Sequence, residues 1–266
     1  MNIEDFQTNR DSKTFYQVKS VYDLVKRIIN SEDIKIYAAG GIVPYILNNE
    51  ESNRLHDDID TVCDLENMSR IREIFQDYGL YNPNLDSLTH SNDGVDYGFE
   101  MIVQGVPFGI FPFTYDEDEK IIIQYSYDPY TTECKIKEVP CEQLSDYVCT
   151  YKGKDGNMYN TMSLEMIKYT KNTVNREKDL LDLRKISEIG YRTEVYDRLK
   201  PIIEIQKVKA SELPPKKKAK AKTKVRELPK IGTIDKGYSH IIMISLIVII
   251  IILLIVSYLA YLTIFK

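Results

Sequence analysis

Residues 241 to 264, IIMISLIVIIIILLIVSYLAYLTI, carry no charged side chain, and no other stretch limits so strongly what the chain can become. An α-helix rises about 1.5 Å per residue, so a run of this length crosses a hydrocarbon core roughly 30 Å thick. A buried helix of a soluble core rarely exceeds about 14 wholly apolar residues, and a membrane-spanning helix is the expectation here. Lys216, Lys217, Lys218, Lys220, Lys222, Lys224, Arg226, Lys230 and Lys236 precede the run and Lys266 follows it. Basic residues gather on the cytoplasmic side of a span, which puts everything N-terminal in the cytosol. The opening MNIEDFQTNRDSK is polar and unlike a signal peptide. The chain is thus expected to be a cytosolic domain on a single-pass C-terminal anchor, residues 238–266.

Between domain and anchor, residues 209–237 hold Pro214, Pro215 and Pro229 among the lysines and show no apolar periodicity. They read as an extended, self-repelling linker. Its lysines either meet anionic lipid headgroups, at about 1 kcal/mol per basic residue near the surface, or serve as a topology signal and tether. Nucleic-acid binding by the tract is less favoured, because no aromatic residue is interleaved to stack on bases. The formal net charge of -5 therefore conceals a basic tail behind an acidic body. With 43% hydrophobic residues, 266 in all, the chain has material for one large or two small domains. Cys63, Cys134, Cys141 and Cys149 form no CxxC pair and have no His at metal-ligand spacing; they read as reduced thiols, without structural zinc.

The domain begins with FYQVKSVYDLVKRIIN, where Val18, Val21, Leu24, Val25, Ile28 and Ile29 recur at helical spacing. IKIYAA follows as a short strand, then Gly40-Gly41, then IVPYILNN as a helix with Pro44 in its first turn, where a missing N–H costs little. Such a turn either lets a phosphate approach the main chain without meeting a Cβ or is simply tight. DIDTVC, from Asp58 to Cys63, reads as the next strand. Strand side chains alternate with period two, so Asp58 and Asp60 share a face with Cβ atoms about 7 Å apart. Two carboxylates so placed repel unless a cation sits between them. Magnesium suits the need, since it accepts one or two carboxylates and completes its shell with phosphate oxygens and water.

YGFEMIV and VPFGIFPF flank Gln104-Gly105, a two-residue hairpin turn. Pairing Val103 with Val106 then sets Glu100 opposite Gly109. IIIQYSY, TTECKIKEV and a hairpin around Lys154-Asp155-Gly156-Asn157 continue the strands to residue 162. After Ser163, an N-cap, come LEMIKYTKN and EKDLLDLRKISEI as helices of a part spanning 163–208, and TEVYDRLKPIIEIQKV reads as a last helix kinked or interrupted at Pro201. Arg54 and His56 stand just upstream of the acids, to touch phosphate or shape a metal site, or in the case of His56 only to cap the strand.

Gly40-Gly41 after a strand, then RLHDDID, then SLEMIKYTKNTVNREKDLLDL together resemble the nucleotidyltransferase superfold, as in lincosamide and aminoglycoside nucleotidyltransferases and AbiEii-like toxins. The resemblance covers residues 34 to 190. It implies an α+β fold: a mixed β-sheet flanked by helices over 1–162, with a C-terminal helical part. It further implies that Asp58 and Asp60 hold Mg2+ on a nucleoside triphosphate, that Gly40 and Gly41 cradle its phosphates, and that Lys168, favoured over Lys171, contacts the triphosphate. Arg176 and Lys178 assist, and Asp179 and Asp182 orient this basic cluster or bind the acceptor, unless 178, 179 and 182 form only surface ion pairs. An acceptor hydroxyl, on a small molecule, a protein or an RNA, attacks the α-phosphate and pyrophosphate leaves. The family carries a third acid on a later hairpin strand, where this chain has Gly109. Glu100 across the hairpin is then the substitute base or third ligand, or the acid is lost and the chain is a silent, membrane-tethered nucleotide- or protein-binding module.

Overall fold

The computed structural model describes residues 13–51, 55–174, 176–210, 226 and 228. Helix α1 (Phe15–Asn30) starts at Thr14, whose side chain accepts from the Gln17 amide while the Gln17 side chain returns a bond to the Thr14 amide. This reciprocal cap satisfies two otherwise orphaned N–H groups. The apolar stripe seen in sequence is its buried face. Strand β1 (Tyr37–Ala39) runs into a single tight turn, Gly40–Ile42, and then into α2 (Val43–Asn48) with Pro44 in the first turn. After β2 (Ile59–Asp64) come α3 (Met68–Asp77) and α4 (Ser87–His90).

The strands that follow are β3 (Phe99–Val103), β4 (Val106–Asp116), β5 (Ile121–Asp128), β6 (Glu133–Pro140), β7 (Val148–Lys152) and β8 (Met158–Met162). Helices α5 (Leu164–Val174), α6 (Glu177–Ile189) and α7 (Thr193–Arg198) and strand β9 (Ile203–Lys209) complete the described elements. The order in the sheet is β7-β8-β1-β2-β4-β5-β6-β9, with β3 also paired to β4. The β1/β8 and β2/β4 pairs are parallel and the others antiparallel. The fold is therefore α+β with a mixed sheet, as expected.

Gln104 and Gly105 both have positive φ, 52° and 78°, the type I′ geometry whose twist matches two paired strands. The register that this turn sets is the expected one: Val103 lies opposite Val106 and Glu100 opposite Gly109. Ser163 also caps α5 as expected, accepting from the Met166 amide at 3.1 Å.

The expected last helix is corrected. It ends at Arg198, and Ile203–Lys209 is instead strand β9, paired with β6. Pro201 lacks an N–H and holds the preceding residue extended, and beyond it the chain finds the free edge of β6. The expected boundary at 162/163 lies within one compact unit, residues 1–227, and residues 228–266 group separately. The apolar run 241–264 and nearly all of the linker fall outside the described residues; among those described, no helix is long and apolar enough to cross a membrane.

The main core lies around α1, α2, α3 and the β1/β2/β4 strands, filled by Tyr22, Phe75, Phe99, Phe108 and Phe113. A second cluster of Tyr97, Tyr127, Cys134 and Ile136 sits under the β5/β6 extension. Cys63, Cys134 and Cys141 are buried and Cys149 is half-buried.

Candidate active site

Asp60 sits in a transverse row of the sheet, with Ala39 on one side and Gly109 then Glu100 on the other. Gly40 has φ +70°, a left-handed conformation that glycine adopts without a Cβ penalty. A Cβ added there would stand 3.8 Å from Asp60 Oδ2, and one added at Gly109 would stand 3.4 Å from Asp60 Oδ1. The carboxylate is thus flanked by two residues without side chains. Thr61 points the other way and donates from its hydroxyl to the Gly109 carbonyl at 2.8 Å, pinning β2 to β4.

Above this row opens a cavity of about 330 Å³. Gly40, Gly41, Asp57, Asp58 and Asp60 line it from the sheet, and Lys171, Arg176, Lys178 and Asp179 from α5 and α6. Six of the residues expected in the site therefore meet in one place: Gly40, Gly41, Asp58, Asp60, Arg176 and Lys178. Two expected residues do not line the cavity. Lys168 has its Nζ over the rings of Tyr191 and Tyr196, 4.6 and 5.5 Å from their centroids, and Lys171 lines the cavity in its stead. Ile167, Lys171 and Val174 form the inward stripe of α5, at the i, i+4, i+7 spacing of one helix face, and Lys168 lies off it. Glu100, the other, is buried at 6% exposure.

Lys171 Nζ donates to Asp179 Oδ1 at 2.7 Å and to Asp182 Oδ2 at 2.6 Å. Arg176 donates to Asp179 through Nε at 2.8 Å and Nη2 at 3.1 Å. Lys178 Nζ lies 2.6 Å from Asp57 Oδ2. Asp179 and Asp182 are fully buried, so the alternative of surface ion pairs does not hold for them. Sequence reasoning passed over Asp57 as a site residue, although its place beside Asp58 at the head of a strand was a signal. His56 is buried, lines the cavity, and packs edge-on against Tyr45 with ring centroids 5.9 Å apart. Arg54 lies outside the described residues.

Burial alone would push the Asp179 carboxyl up, but the bonds from Arg176 and Lys171 outweigh it and hold the group well below the usual range. Burial likewise acts against Glu165, and Arg192 reverses it, with Nη2 at 2.9 Å. Carboxyls with depressed pKa values stabilise the fold above their unfolded values of about 4, and that stability is lost as pH falls through the folded values. The thermal midpoint is expected to be level from about pH 7 to 5 and to drop below about pH 4. Asp179→Asn, which unbalances a buried pair, is expected to cost about 3–5 kcal/mol at neutral pH and less in acid. Melting curves of both proteins across this range check it; parallel profiles contradict it.

An aromatic ring stands over Gly109, where the resemblance led to the expectation of a third acid. A Cβ added at Gly109 would fall 2.7 Å from Cε2 and Cζ of Phe111, and one added at Gly98 would fall 2.9 Å from Cδ1 of the same ring. Phe111 leans back over both glycines and fills the middle of the row between Asp60 and Glu100. Among the described residues no group of three or more His, Cys, Asp or Glu side chains is arranged to hold a metal ion. Asp58 and Asp60 still supply the two carboxylates that Mg2+ accepts when phosphates and water complete its shell.

No protein-family model and no curated protein matches this chain. Among solved structures it is similar to the lincosamide antibiotic adenylyltransferase LnuA in its lincomycin-bound crystal structure, with 16% identity, 65% of this chain and 97% of that chain covered, and a TM-score of 0.45. It is also similar to the antibiotic-resistance factor ANT(2'')-Ia in its solution structure, with 16% identity, coverage of 68% and 88%, and a TM-score of 0.44. A crystal structure of ANT(2'')-Ia in complex with adenylyl-2''-tobramycin gives 14% identity, coverage of 67% and 91%, and a TM-score of 0.43. Likeness of this depth assigns no activity, and the functional reading rests on the side chains of the cavity.

Proposed function

We propose that this chain is a Mg2+-dependent nucleotidyltransferase that moves a nucleoside monophosphate from a nucleoside triphosphate to a hydroxyl of a small molecule, a protein or an RNA. The observation that carries the reading is the meeting, in one cavity, of Asp58 and Asp60 beside Gly40 and Gly41 with Lys171, Arg176 and Lys178 opposite. Nucleotidyl transfer needs positioning and charge neutralisation more than covalent help. Asp58 and Asp60 would hold a magnesium ion, which would neutralise phosphate charge when bound. The Gly40-Gly41 backbone admits the phosphates closely, and Lys171, Arg176 and Lys178 donate to their oxygens. The acceptor oxygen bonds to the α-phosphorus, the bond to the β-phosphate oxygen breaks and pyrophosphate leaves, and the hydroxyl proton goes to Glu100, which lies beyond Gly109 in the same row and outside the cavity lining, so the Phe111 ring must give way for this transfer.

Phe111 favours a second reading, a silent module that binds nucleotide or a partner protein without transfer, because its ring occupies the middle of the row between Asp60 and Glu100. Calorimetric titration with ATP, GTP, CTP and UTP, with and without Mg2+, followed by a pyrophosphate assay, separates the two. Mg2+-dependent binding with release supports the enzyme, and binding without release supports the module. Absence of binding removes both nucleotide readings.

The same proposal places the domain on the cytosolic face of a membrane, through residues 238–266 and the lysines before them. The full chain is expected to stay with membranes through an alkaline carbonate wash and a chain ending at Gly237 to be released. Retention of the shortened chain contradicts the anchor.

A further inference from the structure

Lysine usually meets a phosphate as a mobile point charge on a flexible stem. Lys171 is built differently. Its side chain is 7% exposed and its Nζ is held 2.7 Å from Asp179 and 2.6 Å from Asp182, two carboxylates one turn apart on α6. An ammonium has three N–H donors; two are taken, and no described residue accepts the third, although Lys171 lines the cavity. Among the described residues the charges of α5 and α6 at the cavity also stand in pairs. Lys171 and Arg176 stand against Asp179 and Asp182, and Lys178 stands against Asp57.

We infer that Asp182 is a positioning residue, which fixes Lys171 in the cavity wall with its charge already neutralised, so that Lys171 meets a ligand phosphate as an oriented hydrogen-bond donor rather than as a free cation. The inference rests on the nucleotide reading above. Asp179 shares the task, but it also carries Arg176 and the first turn of α6, so its replacement disturbs more than Lys171. Buried pairs are screened by salt much less than exposed charges, and a neutral wall of directed donors makes phosphate affinity only weakly dependent on ionic strength. Removing the Asp182 charge leaves one uncompensated positive charge behind the cavity, and salt then opposes binding.

The test is calorimetric titration of the full chain, in detergent, with ATP and with inorganic tripolyphosphate in the presence of Mg2+, from low to high KCl. Asp182→Asn keeps the side-chain shape and an oxygen for Lys171. Wild-type affinity is expected to fall less than about threefold over this range, and that of Asp182→Asn at least about tenfold. A purely packing role for Asp182 leaves the salt dependence unmoved. Lys171→Met/Asp182→Leu replaces the buried pair by apolar groups, an exchange that is often neutral for stability, and is expected to bind tripolyphosphate at least about tenfold more weakly, ~1.4 kcal/mol. Wild-type salt dependence in Asp182→Asn, or wild-type affinity in the double variant, overturns the inference. A wild-type chain that binds neither probe counts instead against the nucleotide reading itself.

Discussion

Replacing Asp58 and Asp60 together by alanine is expected to abolish Mg2+-dependent nucleotide binding, a loss of at least about 100-fold or ~2.7 kcal/mol, while the fold survives. The two carboxylates line the cavity and are only half-buried, so their removal opens no core cavity. β2 keeps its register through the Thr61 bond to the Gly109 carbonyl and through Ile59 and Val62, both buried. What disappears is the negative charge that holds a divalent cation at the phosphates. Among the described residues Lys171, Arg176 and Lys178 each face a carboxylate, Asp179, Asp182 or Asp57, so their pull on a triphosphate without the cation is expected to be weak. Calorimetry gives the binding and circular dichroism the fold; unchanged affinity in a folded variant ends the proposal.

The second large effect concerns Gly109 and Phe111. Gly109→Asp alone is expected to lower the thermal midpoint and to leave turnover no higher, because its Cβ lands 2.7 Å from the Phe111 ring. Overpacking of that kind costs about 1–3 kcal/mol. Gly109→Asp/Phe111→Ala clears the ring and puts a carboxylate beside Asp60. If the wild-type chain lacks an effective base at this position, turnover in the double variant is expected to rise at least about 100-fold, the lower range for general-base catalysis. A rise in the single variant contradicts the steric account. No rise in the double variant, with the fold retained, shows that Glu100 already serves or that transfer is not the function.

The elements near the site were largely legible in the chain itself. Period-two alternation placed Asp58 and Asp60 on one face, and Gln104-Gly105 fixed the hairpin so tightly that Glu100 opposite Gly109 followed from counting. Other features were not legible, for identifiable reasons. Lys168 and Lys171 lie one turn apart, and only the stripe that packs inward, together with two acids that become partners in three dimensions, separates them. The alternation in IIEIQKVK competed with a helical reading of the residues before it, and the free edge of β6, a tertiary feature, made it a strand. Nothing in local pattern tells that a ring leans back over its i−2 neighbour, although Gly109 on β4 and Gly98 just before its partner strand β3 were a hint of a seat. The anchor and nearly all of the linker lie outside the described residues, so the strongest signal in the sequence is met by no structural observation.

On the proposed reading, Asp58 and Asp60 jointly hold a divalent cation at the phosphates of a nucleotide. Mn2+ in place of Mg2+, read through its paramagnetic effect on the 31P resonances of bound ATP, reports on it directly. Strong, selective phosphorus relaxation in the wild-type protein that vanishes in Asp58→Asn/Asp60→Asn is the predicted result. Equal relaxation in both proteins, or none in either while ATP is bound, contradicts it.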